Sequence, residues 1–208
     1  MLIYSWIAFW ATYFLGTFIT YNTGNLPTGI IRSKKIITAY EIMNTIKVNA
    51  CLTFLLLPIT EQIPTLIYVP DTWLGYLLRI TLALIIGDLC FYITHRLLHH
   101  PYLYKYHQKH HEFIVPYSLT GLYSSPVEMI LSNHLSMVIP LKLITSHSNT
   151  MLMLESAAVA FNILKSHSGY DSELYGSPHH NIHHKYMIHN YGFLYITDII
   201  FGTYSTVQ

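Results

Sequence analysis

The sequence predicts an all-α integral membrane protein: a bundle of spanning helices with a histidine-rich helical cap that holds two metal ions. Three observations predict it. Of 208 residues only 10% are charged, against about 25% in soluble globular domains. Apolar runs of spanning length occupy the first half. All 14 histidines lie at or beyond His95, where uniform scatter would put about six before it. With 52% hydrophobic residues the chain is not disordered. A net charge of +1 with no basic patch leaves nucleic-acid binding without a basis. Cys51 and Cys90 make neither a disulfide framework nor a zinc ribbon, and read as small buried hydrophobes.

The first element runs from Leu2 to Tyr21 without a charge, long enough to cross a bilayer. It lacks a basic n-region and a small-residue cleavage site, so it reads as an anchor. A turn from Asn22 to Gly29 leads to the basic group Arg32, Lys34 and Lys35. The second span, Ile42 to Thr60, contains Lys47 and ends near Pro58. After the connector from Glu61 to Asp71 comes a third span, Trp73 to Thr94, charged only at Arg79 and Asp88. The basic group favours the cytoplasmic side, so the third span delivers His95, Arg96 and His99 there, with Lys105 and Lys109 in agreement. The N-terminus is then lumenal or external. Ser125-Pro126-Val127-Glu128 has the form of a helix start: a serine cap, proline at the first position and glutamate three after the cap. The run to Ile144, interrupted by Pro140, and the run from Thr150 to Leu164, charged only at Glu155, predict a helical hairpin that leaves on the face it entered. We divide the chain into an N-terminal transmembrane region, 1–86, and a histidine-bearing region, 87–208, which the resemblance given below implies is catalytic.

The histidines carry the chemistry. His95 and His99 stand at i, i+4, one side of a helix. His107, His110 and His111 have i, i+3, i+4 spacing, and His180, His183 and His184 repeat it. His167 stands nearby. Such spacings converge imidazoles on a small volume, and neutral imidazole binds iron, zinc, copper and nickel. Nine ligands exceed the four of one zinc ion, so two metals with four or five each fit the count. The spacing is helical, unlike a loop-like metal-buffering tract. His134, His147 and His189 read as satisfied polar residues, and Tyr102, Tyr104 and Tyr106 as an interfacial aromatic belt. Asp88, Tyr92, His95 and His99 form one stripe, which predicts that Asp88 accepts a ligand imidazole N–H.

These residues resemble the membrane-bound non-haem diiron fatty acid hydroxylase and sterol desaturase superfamily, with C-4 methylsterol monooxygenases as the nearest likeness. It rests on His95-Arg-Leu-Leu-His-His100, on Tyr104 to Phe113, and on Ser125-Pro-Val-Glu128. It continues through His167-Ser-Gly-Tyr-Asp171, His179 to His184, Asn190-Tyr-Gly192 and Phe201-Gly-Thr203. Thr197-Asp198 stands where the family usually has Trp-Asp. The resemblance implies ligand roles for His95, His99, His107, His110, His111, His167, His180, His183 and His184. His100 and His179 are possible extra ligands, and Asp171, with Asp88, supports the ligand rings. It further implies two irons that use O2 to hydroxylate an apolar lipid, first the C-4 methyl of a sterol. Redox-inert zinc cannot supply that chemistry. The chain has no dinucleotide fingerprint, so electrons would come from NAD(P)H through a separate cytochrome b5 or reductase. The implied location is the endoplasmic reticulum membrane. Sterol desaturation, sterol side-chain hydroxylation and fatty acid hydroxylation are the alternatives within the superfamily. A non-enzymatic membrane haem- or metal-binding protein is the alternative from another class, and it should carry its histidines deep within spans.

Overall fold

A computed structural model describes residues 2–22, 36–70, 72–145, 149–170 and 177–206. The three expected spans form as α1 (Leu2–Asn22), α2 (Ala39–Thr60) and α3 (Trp73–Leu98), each long and apolar enough to cross a membrane. α2 starts three residues before the apolar run because Thr38 caps it. The Thr38 hydroxyl accepts from Glu41 N at 3.2 Å, and the Glu41 carboxylate accepts from Thr38 N at 2.9 Å. α3 begins at the Thr72 cap and outruns its predicted end at Thr94, so that His95 and Arg96 occupy its last turn. Positive and imidazole groups suit a helix C-terminus. α3 is continuous through residues 86 and 87. The basic group Arg32, Lys34 and Lys35, the turn from residue 23 to Gly29, His147 and Asp171 lie outside the described residues.

Leu15, Phe18, Leu55 and Leu77 project outward from the spans, as side chains do whose solvent is lipid. The cysteines correct one expectation. Both are free thiols, but Cys51 is exposed and Cys90 half-buried. On a spanning helix a small apolar thiol can face acyl chains at no cost, so apolar sequence context does not imply burial.

The hairpin forms as expected. Ser125 accepts from Glu128 N at 3.2 Å, with Pro126 in the first position of α4 (Pro126–Glu128). The chain widens into a π-helix, Met129–Leu135, and continues as α5 (Ser136–Leu143), which contains Pro140. A short parallel pairing of β1 (Ile67–Tyr68) with β2 (Ile144–Thr145) ties the turn of the hairpin to the connector after α2. α6 (Asn149–Ser166) then returns to the histidine end. α1 packs along α6 and α3 along α5. At the first seam Gly16 lets the helices close: a Cβ there would lie 2.3 Å from Leu164 Cδ1.

The core lies between α1, α2, α6 and the loop after the first histidines, around Trp10, Tyr13, Ile42, Ile46, Phe113 and Leu122. Two polar residues on the spans fix that loop. Tyr13 donates its hydroxyl to the Leu119 carbonyl at 3.0 Å and accepts from Leu122 N at 3.2 Å. Asn49 Nδ2 donates to the carbonyls of Leu122 (3.1 Å) and Ser124 (3.2 Å). The histidine-free half of the chain is thus the footing of the histidine-bearing half.

Candidate metal centre

Four pieces of backbone supply the histidines. α3 ends on His95 and His99. The segment after it is built from 3-10 turns at Tyr104–Tyr106 and His110–Glu112, not from the α-helix that the spacing predicts. α6 stops just before His167. α7 (Pro178–Tyr186) is a capped helix: Ser177 accepts from His180 N at 3.4 Å, Pro178 takes the first position, and Met187 ends it in the left-handed conformation.

The nine histidines form two groups. His95, His99, His107, His111 and His183 bring ligand nitrogens within 4.8 Å of one another, and so do His110, His167, His180 and His184. In each H-x-x-H-H motif the i, i+4 pair shares one group and the i+3 histidine crosses to the other. His107 and His111 stand against His110, and His180 and His184 against His183. The two motifs therefore interlock, each contributing to both groups.

The rings are oriented for a cation. His95, His183, His184 and His167 present Nδ1 to the carbonyls of Tyr191 (2.7 Å), His189 (2.7 Å), Phe113 (2.9 Å) and Ile163 (3.0 Å). A carbonyl only accepts, so each Nδ1 carries the proton and each Nε2 presents a lone pair. Within the first group Nε2–Nε2 separations are 3.1 Å for His95–His107, 3.0 Å for His107–His111 and 3.2 Å for His99–His183. Within the second they are 3.2 Å for His110–His167, 2.9 Å for His167–His180 and 3.1 Å for His180–His184. Ligands about 2.1 Å from one metal and at right angles to it stand about 3.0 Å apart. Nitrogens gathered at this spacing could ligate one ion in each group, with the four rings whose Nδ1 faces a carbonyl already presenting a lone pair, so the residues fit a metal pair. Burial first, and then the neighbouring rings, holds His107, His110, His111, His180, His183 and His184 well below the ordinary imidazole pKa. The rings are therefore in the neutral, ligating form at pH 7.

Three carboxylates support this arrangement. Glu128 is buried, with Oε2 at 3.1 Å from His107 Nδ1 and Oε1 at 3.7 Å from His110 Nδ1. Neither contact is an aligned hydrogen bond, so Glu128 places a carboxyl group against one ring of each group. Burial pushes its own pKa up, opposed by the Lys109 ammonium. In the sequence Glu128 is absorbed by the capping motif, whereas in the fold only the serine half of that motif forms.

Asp88 corrects an expectation. It reaches no imidazole: its carboxylate accepts from Leu194 N (2.7 Å), Thr197 N (2.9 Å) and the Thr197 hydroxyl (2.7 Å). The partner of His95 is the Tyr191 carbonyl, and Asp88 acts through the loop that carries it. Asp198, unassigned from sequence although Thr197-Asp198 stands in a family motif, grips the same loop. It accepts from Tyr191 N (2.8 Å), Gly192 N (2.6 Å) and the Thr203 hydroxyl (2.7 Å).

Two possible extra ligands stay outside the groups. His100 is exposed and stacks on Tyr102. His179 engages the Ser205 carbonyl through Nδ1 (3.3 Å) and the Tyr204 hydroxyl through Nε2 (3.1 Å), which leaves it no free nitrogen. His134 is buried away from both groups, and His189 serves through its backbone carbonyl. Tyr104 departs from the belt assignment: it is half-buried, with its ring 5.9 Å from that of His99 and its hydroxyl on Met187 Sδ at 3.2 Å.

A cavity of about 410 Å³ runs between α3 and α6 and ends on His95, His107, His110, His167 and His180. Most of its wall is aliphatic or aromatic. An apolar pocket leading to converging polar groups is the usual form of a small-molecule site.

The model of the family described as "Fatty acid hydroxylase" matches residues 80–203. The chain belongs to the fatty acid hydroxylase family. The match takes in every histidine of both groups and all three supporting carboxylates. Among curated relatives, human fatty acid hydroxylase domain-containing protein 2 is 36% identical over 134 residues, 64% of this chain and 40% of that protein. Methylsterol monooxygenase 1 of Rattus norvegicus is 34% identical over 145 residues, 63% of this chain and 48% of the relative. Fatty acid hydroxylase ahd1 of Mycosarcoma maydis is 29% identical over 186 residues, 88% of this chain and 48% of that protein. The chain thus spans about half or less of the length of these family members. No solved structure matches it significantly.

Proposed function

We propose that this protein is a membrane-bound diiron oxygenase that hydroxylates an apolar, sterol-like lipid. The observation that carries the reading is the juxtaposition: an apolar cavity between the spanning helix α3 and the hairpin helix α6 opens directly onto two groups of neutral, convergent imidazoles. Nitrogen-rich ligation of a redox-active metal suits oxygenation of an unactivated C–H bond, and iron bound there would supply the oxidising power for it. His95, His99, His107, His111 and His183 would hold one ion, and His110, His167, His180 and His184 the other. Carbonyl acceptors on Nδ1 hold the ring planes. Asp88 and Asp198 hold the loop bearing one of those carbonyls, and Glu128 biases a ring of each group. The cavity wall excludes water and brings the lipid to the histidines.

Several parts of the reading rest on sequence. The charge distribution puts the histidine cap on the cytoplasmic side, residues 1–86 serve as the transmembrane region and 87–208 as the catalytic region. Asp171 supports the ring of His167. Electrons come from NAD(P)H through a separate cytochrome b5 or reductase, and the location is the endoplasmic reticulum membrane. Resemblance and the methylsterol monooxygenase relatives point to the C-4 methyl of a sterol as the carbon attacked, while the other relatives bear fatty acid hydroxylase names. The test is product analysis. The purified chain, supplied with ferrous iron, O2, NADH, cytochrome b5 and its reductase, is given 4-methylsterols, sterols lacking that methyl and fatty acids in separate reactions. A hydroxylated lipid that depends on iron and on His110 supports the reading. No product from any lipid, with metal loaded and reductant consumed elsewhere, overturns it.

A further inference from the structure

The cavity has a second polar end. On α3 its lining extends from Ile80 to His95, and on α6 from Met151 to His167. At a rise of 1.5 Å per residue these stretches are about 22 to 24 Å long. Away from the histidines the wall includes Ile80, Leu84, Leu154 and Ala158, the amides Asn133 and Asn162 also line the cavity, and apart from Glu128 beside the histidines the one carboxylate among the described lining residues is Glu155. Glu155 precedes His167 by twelve residues on the same helical path, about 18 Å from the metal end.

Behind Glu155 stands Arg79, fully buried and not part of the cavity wall. Arg79 Nε donates to Oε1 at 2.8 Å, Nη2 donates to Oε2 at 3.0 Å, and Nη1 donates to the Ile144 carbonyl. Each guanidinium nitrogen is engaged by one of these partners. Each carboxylate oxygen has one donor from the protein and keeps a lone pair. The cavity therefore meets an acceptor, not a cation. A buried ion pair holds two helices together no better than an apolar contact of equal volume, so adhesion between α3 and α6 does not by itself call for one at a cavity wall.

We infer that Glu155 is the anchor for a hydroxyl group on the lipid, placed so that the carbon at the histidines lies at the opposite end of the molecule. The oxidation in this statement rests on the oxygenase reading above, whereas the anchor does not. The chemistry selects the substrate class. A fatty acid would bring a carboxylate against a carboxylate. A 4-methylsterol with its methyl at the histidines would keep its hydroxyl beside that methyl and lay an alkyl tail on Glu155. A sterol entering tail first places its hydroxyl on Glu155 and its side chain at the histidines. The structure thus assigns side-chain oxidation of a neutral, hydroxylated sterol in preference to the C-4 methyl.

The experiment uses the full chain in detergent, with labelled cholesterol as probe and unlabelled cholesterol or its 3-deoxy analogue, 5-cholestene, as competitor. It needs no turnover. A hydrogen bond to a charged acceptor predicts that the deoxy compound competes about 10- to 100-fold more weakly. In the double variant Arg79→Met/Glu155→Leu, which removes both charges together, the two competitors should come within about twofold of each other. Equal competition in the unaltered protein, or no sterol binding at all, overturns the anchor, and this holds even if the double variant does not fold. Product from the reconstituted enzyme hydroxylated next to the sterol hydroxyl overturns the assigned orientation and leaves the oxygenase reading standing. Sterol bound with the predicted discrimination, but never oxidised, sinks the oxygenase reading alone.

Discussion

Asp88→Ala is the perturbation whose consequences the structure fixes most closely. The carboxylate is fully buried on α3 and receives three donors: Leu194 N, Thr197 N and the Thr197 hydroxyl. Alanine leaves two backbone N–H groups without that acceptor in a dry site. At about 1 to 3 kcal/mol for each unsatisfied buried group, the loss is about 2 to 6 kcal/mol. The damage extends beyond stability. Asp198 and Asp88 together clamp the loop from Tyr191 to Thr197, and the Tyr191 carbonyl is what orients His95. Loss of an outer partner of a ligating histidine weakens metal affinity about 10- to 100-fold. Thermal unfolding in detergent should therefore show a lowered Tm, and titration with ferrous iron a weakened site in the group that contains His95. Asp88→Asn keeps the shape but turns one acceptor oxygen into an amide facing a donor, and should fall between alanine and the unaltered protein. An Asp88→Ala protein with unchanged Tm and unchanged iron affinity would refute the account of this loop.

Other substitutions probe the remaining supports. Gly192→Ala would set a Cβ 2.7 Å from Asp88 Oδ1 and 2.9 Å from Asp198 Oδ2, and overpacking of this kind costs about 1 to 3 kcal/mol, so a lowered Tm together with reduced metal loading is the expected outcome. Glu128→Gln replaces the carboxyl group that faces His107 and His110 with an amide, and metal titration should show both sites weakened about tenfold or more. His100→Ala should retain full metal stoichiometry, whereas His110→Ala should lose metal from the four-histidine group, as read by elemental analysis. Acid should unfold the metal-free protein, because the pKa values of His107, His110, His111 and His180 are lowered in the folded state, first by burial. The unfolded chain takes up protons as pH falls through about 6.5 while the folded rings stay neutral. Stability is therefore complete above that pH and lost below it, and Tm should fall steadily between pH 7 and 5 by differential scanning fluorimetry.

Much of this architecture is legible in the sequence, and the exceptions have physical causes. The spans are visible because apolar length is a property of composition, and the helix start at Ser125 because capping is local. The histidine groups are visible because spacing survives changes of local geometry. The segment from His107 to His111 is built of tight turns instead of an α-helix, yet the i, i+4 rings still meet. What the sequence hides is which partner a polar group finds across the fold. Glu128 fits a capping motif equally well, and only tertiary packing turns it toward His107. Asp88 lies on the histidine stripe, but the loop from Tyr191 to Thr197, more than 100 residues later, reaches it first. Arg79 and Glu155 read as isolated charges in two apolar runs 76 residues apart. His179 belongs to the repeated histidine pattern, but a segment 25 residues on captures both of its nitrogens.

The most direct test of the central claim is the metal content and Mössbauer spectrum of the detergent-purified chain, prepared without oxygen and loaded with iron-57. The account predicts about two ferrous ions per chain, magnetically coupled after oxidation, with the four-histidine ion lost in His110→Ala and the five-histidine ion lost in His183→Ala. A single zinc ion per chain that persists after iron supplementation and is indifferent to His110→Ala would contradict it.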